Sequence, residues 1–145
     1  MSRTDSPRGL LDTSTVILID RIHDTTALPQ EPLISVVTLA ELSVGPLIAV
    51  DDVEQAVRQG HLQQAEADYE PLPFNVDAAR AFGRVAASLR RAGRKATARS
   101  FDAMIAATAV ANQLPLYTVN PDDFAGIEAL DVRAVTHPDR QDRDD

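Results

Sequence analysis

The alternation of short apolar runs with helical stretches is the feature that most restricts what this chain can fold into. Leu33-Ile34-Ser35-Val36-Val37 is the clearest run, short and β-branched as a buried parallel strand is. Residues 9–12, 71–75, 116–119 and 132–135 are further strand candidates, the last suited to a sheet edge. Helical patterns lie between them. One runs from Ser14 to about residue 22, and one follows Thr38 until Gly45-Pro46 interrupts it. Another opens at Asp51-Asp52 and reaches about residue 69, one covers 76–92 before Gly93, and Ser100 caps one over 101–112. Strands and helices in turn specify an α/β sandwich on a mostly parallel sheet. The expected organisation is a flexible arm over residues 1–8, one domain over 9–138 and a charged tail over 139–145.

Composition narrows the function classes. A chain of 145 residues with 44% hydrophobic content can bury a real core, so a disordered body is excluded. No apolar run approaches the roughly 18 to 20 residues of a membrane span. The first nine residues lack the apolar centre of a signal peptide, which makes a cytoplasmic address the expectation. Without cysteine, disulfides and thiolate metal sites are excluded. A net charge of −8 argues against wrapping nucleic acid over a broad surface. The cations are nevertheless concentrated: Arg80, Arg84, Arg90, Arg91, Arg94, Lys95 and Arg99 are seven of the 14 Lys and Arg.

In a parallel sheet, ligands bind beyond the carboxyl ends of the strands. Leu10-Leu11-Asp12-Thr13-Ser14 puts a carboxylate at such an end, with hydroxyls directly after it. Glu41 lies one turn into the helix after the second strand, Asp123 follows the fourth, and Asp102 stands in the first turn of a helix. Four carboxylates without a cysteine or histidine partner suit a hard cation, Mg²⁺ or Mn²⁺. Brought together without one, they repel each other and their pKa values rise. Each also has a plain structural reading. Asp12 can cap a helix or form a turn, and Glu41 can close a capping box with Thr38. Asp102 can complement a helix dipole, and Asp122-Asp123 can be turn chemistry after Asn120-Pro121. Spacing alone leaves both readings open.

Four stretches then resemble, in order and at family-like separations, the motifs of PIN-domain ribonucleases, and most closely the VapC toxins of bacterial toxin–antitoxin pairs. They are Leu11-Asp12-Thr13-Ser14, Val37-Thr38-Leu39-Ala40-Glu41-Leu42, Phe101-Asp102-Ala103-Met104-Ile105-Ala106-Ala107-Thr108-Ala109 and Thr118-Val119-Asn120-Pro121-Asp122-Asp123-Phe124. The similarity spans residues 10–138 and implies a three-layer α/β/α sandwich with Mg²⁺- or Mn²⁺-dependent endoribonuclease activity. Asp12, Glu41, Asp102 and Asp123 match the family's acidic quartet, with Asp12 and Asp102 as the most direct metal ligands. Ser14, Thr118 and Asn120 match polar positions that steady the carboxylates or contact phosphate; Asp122 is off register and reads as a turn residue. Arg90, Arg91, Arg94, Lys95 and Arg99 are candidates for holding the RNA backbone, with a solvated helix end and loop as the other reading. The resemblance also implies a cognate antitoxin, a homodimer and a toxin–antitoxin hetero-oligomer. The partner is expected on an apolar groove between residues 16–22 and 39–48.

A second reading, from another class, is a catalytically silent PIN-like protein-interaction module. It predicts a stable complex and no cleavage of any RNA pool. His23, His61 and His137 are too dispersed for a triad, and no glycine-rich phosphate loop is present. An aspartyl-phosphate phosphatase calls for an acid where Ser14 stands, and a receiver domain for a late-strand lysine, whereas the sole lysine is Lys95. Tyr69, Tyr117 and the four phenylalanines are too scattered for an RNA-stacking platform.

Overall fold

The computed structural model describes residues 7–140. Five strands, β1 (Arg8–Leu11), β2 (Glu31–Ser35), β3 (Pro71–Leu72), β4 (Leu116–Thr118) and β5 (Val132–Ala134), form one sheet in the order β3-β2-β1-β4-β5. Every neighbouring pair is parallel. Five helices cover the sheet: α1 (Thr13–Leu18), α2 (Val36–Val44), α3 (Asp52–Asp68), α4 (Val76–Arg91) and α5 (Ser100–Ala111). The chain lays down β1, β2 and β3 outward in one direction, then returns to the other side of β1 with β4 and β5. The order therefore reverses between β1 and β4, and crevices form at such a reversal beyond the strand ends.

Strand alternation builds two cores, one on each face. Leu10, Leu33 and Leu116 point to one side with Val85 and Leu89 of α4 and Ile105 of α5. Leu11, Ile34 and Tyr117 point to the other with Val16, Leu42 and Ala65. The result is the three-layer α/β/α sandwich. In α5, Ala103, Ala106, Ala107 and Ala109 are all essentially inaccessible, so small side chains let this helix lie close against its neighbours. Gly9 has a similar cause: a Cβ there would sit 2.4 Å from Cε1 of Tyr117.

Several expected boundaries move. Arg8, expected in the arm, opens β1, while residues 1–6 and 141–145 of the expected arm and tail lie outside the described residues. Asp12, not Ser14, is the N-cap of α1, which ends at Leu18 and continues as a 3₁₀ turn over Ile19–Arg21. Ser100 is the first residue of α5, and the cap position falls on Arg99 without a side-chain bond. The largest change concerns residues 35–38. The strand ends at Ser35, whose hydroxyl accepts from the Val37 amide at 3.0 Å and caps α2. This cap overrides the β preference of Val36 and Val37. Thr38 becomes an interior helical residue, buried at 0% exposure, and the Thr38–Glu41 capping box does not form. Glu41 is thereby released from helix capping.

Candidate active site

Asp12 leaves the end of β1 and is only 3% exposed. Its Oδ1 accepts from the Thr15 amide at 3.3 Å and from the Thr15 hydroxyl. Its Oδ2 accepts from Ser14 Oγ and from Thr118 Oγ1, each at 2.9 Å. Burial raises the Asp12 pKa, and the three hydroxyls and the amide pull it back by stabilising the carboxylate. These donors are themselves tied to the strand across the reversal. Thr15 Oγ1 accepts from the Val119 amide at 3.1 Å, Thr118 Oγ1 from the Asn120 amide at 2.9 Å, and Ser14 Oγ from Asn120 Nδ2 at 3.1 Å. Ser14, Thr118 and Asn120, the three polar positions singled out in the sequence, thus converge on one carboxylate.

Glu41 reaches the same edge from α2. Thr13 Oγ1 donates to Glu41 Oε1 at 2.7 Å and lies 3.1 Å from the Thr38 hydroxyl. Asp123 sits in a 3₁₀ turn over Pro121–Phe124, and its Oδ1 accepts from Arg99 Nη1 at 2.9 Å. Asp102 lies in the first turn of α5, half-buried. Its pKa is pushed up to about 6, first by desolvation and then by the charges of Asp123, Glu41 and Asp12, with Arg99 opposing. The four acids therefore share one electrostatic neighbourhood. Among the described residues, no group of three carboxylate or imidazole side chains stands ready to hold an ion together. Glu41 and Asp123 are instead engaged by Thr13 and Arg99.

Two of the acids, Glu41 and Asp102, line clefts, and the two clefts meet at Glu41. One is lined by Glu41, Asp102, Arg99, Ser100 and Phe101. The other is lined by Thr13, Ile17, Glu41, Leu42, Arg58 and His61.

The basic segment divides. Arg99 pairs with Asp123, and Arg94 donates to the carbonyls of Asp122 at 3.1 Å and Ala125 at 2.7 Å, clamping the turn that carries Asp123. Arg91 pairs with Glu128 at 3.4 Å. Arg90 and Lys95 are exposed and have no ion-pair partner among the described residues. Asp122 accepts from Arg94 through its backbone carbonyl. Sequence reasoning missed Thr13 and Thr15. The signal available for Thr15 was its place three residues after a capping aspartate, where the cap accepts the backbone amide.

Comparison with known proteins places the sequence and the fold in a family. The sequence profile described as "PIN domain" matches residues 10–130. Ribonuclease VapC5 of Mycobacterium tuberculosis is 39% identical over 127 residues, covering 86% of this chain and 91% of that protein. The chain belongs to the PIN-domain family, within its VapC group. A crystal structure of a member of the VapBC family of toxin–antitoxin systems, VapBC-5 from Mycobacterium tuberculosis, superposes with a TM-score of 0.77 at 37% identity. It covers 89% of this chain and 99% of the matched one. VapBC2 from Rickettsia felis, bound to a promoter DNA fragment, shares the fold with a TM-score of 0.70 at 23% identity, over 88% of this chain and 98% of that one.

Proposed function

We propose that this protein is an endoribonuclease toxin that cleaves RNA phosphodiester bonds with a divalent cation held by Asp12, Asp102, Glu41 and Asp123. The observation that carries the proposal is the convergence of four acids on one sheet edge: burial first, and then the charges of Asp123, Glu41 and Asp12, push Asp102 up to about 6. An oxygen-only donor set that repels itself fits Mg²⁺ or Mn²⁺, whose charge relieves the repulsion. When bound, the cation lowers the pKa of an attacking water and stabilises charge on the phosphate and the leaving oxygen.

The chain's own residues prepare that chemistry. Asp12 is the fixed acid, oriented by Thr15, Thr118 and Ser14. Its lone-pair directions, roughly four, are matched by four donors, so holding a cation would require one of them to yield. Thr13 keeps Glu41 aimed at the same edge, and Arg99 offsets the charge of Asp123. Arg99 lines the cleft beside Glu41 and Asp102, and with the exposed Arg90 and Lys95 it is a candidate cation for the RNA backbone in a protein of net charge −8.

A cognate antitoxin belongs to the same proposal, supported by the toxin–antitoxin system named for the Mycobacterium tuberculosis structure, and a homodimer is proposed with it from the family resemblance alone. Of the two segments expected to form the groove, Ile17, Val44, Leu47 and Ile48 are exposed and available. Val16, Ile22 and Leu42 are core residues, so Leu42→Asp tests folding, and Leu47→Asp is the variant that tests antitoxin binding. The catalytic part is tested by incubating the protein with an RNA pool and Mg²⁺ or Mn²⁺, then adding EDTA. Cleavage that stops with the chelator is expected; an intact pool under both cations would refute it.

A further inference from the structure

We propose that Phe101 is a base-stacking residue, holding the nucleobase of a nucleotide that flanks the bond to be cut. The inference rests on the ribonuclease reading above and adds a subsite to it. Of the four phenylalanines, Phe74, Phe82 and Phe124 all belong to or pack against the core between the sheet and α4–α5. Phe101 joins neither core cluster. It is 39% exposed and is the one aromatic among the exposed large apolar side chains of the described residues. On the same helix Ala103 and Ile105 are inaccessible, whereas Phe101 keeps more than a third of its surface open.

Phe101 precedes Asp102 in the first turn of α5 and lines the same cleft as Glu41, Asp102 and Arg99. A phosphate drawn to the acids by a cation brings its neighbouring bases to the walls of that cleft. RNA recognised as a single strand places unstacked bases on aromatic faces, which accept any base and so bind without reading its edge. A dispersed set of aromatics cannot form an extended platform, but one ring beside the acids suffices for one base.

The test first identifies an oligoribonucleotide that the protein cuts, from a random-sequence pool, and maps the bond. That RNA is then made with an abasic ribose on one or the other side of the bond. Phe101→Ala is expected to raise KM about tenfold, the scale of one base stacked on one ring, while Phe101→Trp stays near wild type. The abasic substitution on the stacked side should weaken the wild type by a similar factor and leave Phe101→Ala unaffected, a dependence that a merely structural phenylalanine lacks. Equal KM for wild type and Phe101→Ala, or abasic effects that simply add to the mutation, would overturn the subsite while leaving the ribonuclease intact. Weakened antitoxin binding with unchanged KM would also overturn it, assigning Phe101 to a protein partner. If the wild type cuts nothing in the pool, the ribonuclease reading falls and the subsite falls with it.

Discussion

Thr13 joins the acids of two different elements: it follows Asp12 directly and donates to Glu41 Oε1 at 2.7 Å. Thr13→Val is nearly isosteric and exchanges the hydroxyl for a methyl that cannot donate. Supporting groups of this kind change metal affinity or activity by about 10–100-fold. Thr13→Val should lose activity on that scale and Thr13→Ser should keep it, measured as cleavage rate against Mg²⁺ concentration. Asp102 gives a prediction of opposite sign for stability and function. Its carboxyl has an ordinary value of 3.8 and is raised in the fold to about 6. The folded state therefore holds the proton more tightly than the unfolded state. Without divalent cation, this stabilisation is full below 3.8 and is lost as the pH rises through 6. In EDTA, Asp102→Asn should flatten that fall in Tm and raise Tm at pH 7, while abolishing cleavage; a lower Tm at pH 7 would contradict the repulsion.

The 3₁₀ turn over Pro121–Phe124 shows how an element carries a site. Arg94 clamps its carbonyls, and Gly126 follows with φ +89°, where a Cβ would lie 2.8 Å from Cβ of Ala92. Gly126→Ala combines strained backbone with a clash and should cost about 1–3 kcal/mol, read from a lower urea midpoint at constant m. Arg94→Ala should lower cleavage through a loosened Asp123 and leave the salt dependence of RNA binding unchanged; a shallower salt slope would make Arg94 a phosphate contact instead. Elements were legible in the sequence where the pattern was long or well punctuated, as in the helices over 52–68 and 76–91, the second stopped before Gly93. The start of α2 was not, because Ser35 is hidden inside an apolar run and its role is fixed partly from across the fold, where its hydroxyl lies 3.2 Å from that of Thr108. The family was legible through motif order. The links from Thr13 to Glu41 and from Thr15 to Asp12 depend on side-chain directions that spacing does not carry.

At the scale of the whole molecule, parallel strands with one reversal of order bring residues 12, 41, 102 and 123 to a single edge. No helix of the described residues is long and apolar enough to cross a membrane. A cation bound only by the folded protein stabilises it by mass action, about 2.7 kcal/mol at a hundred times the dissociation constant. Mg²⁺ or Mn²⁺ should therefore raise the Tm of the wild type and leave that of Asp12→Asn or Asp102→Asn unmoved. The central claim is that the four acids act as one unit in cutting RNA. Single-turnover cleavage of one RNA by the wild type, Asp12→Asn, Asp102→Asn and the double variant tests it directly. Groups that serve one centre are strongly non-additive, so the double variant should cut no more slowly than either single one. Near-wild-type rates in both single variants, or losses that multiply in the double variant, would contradict a shared site.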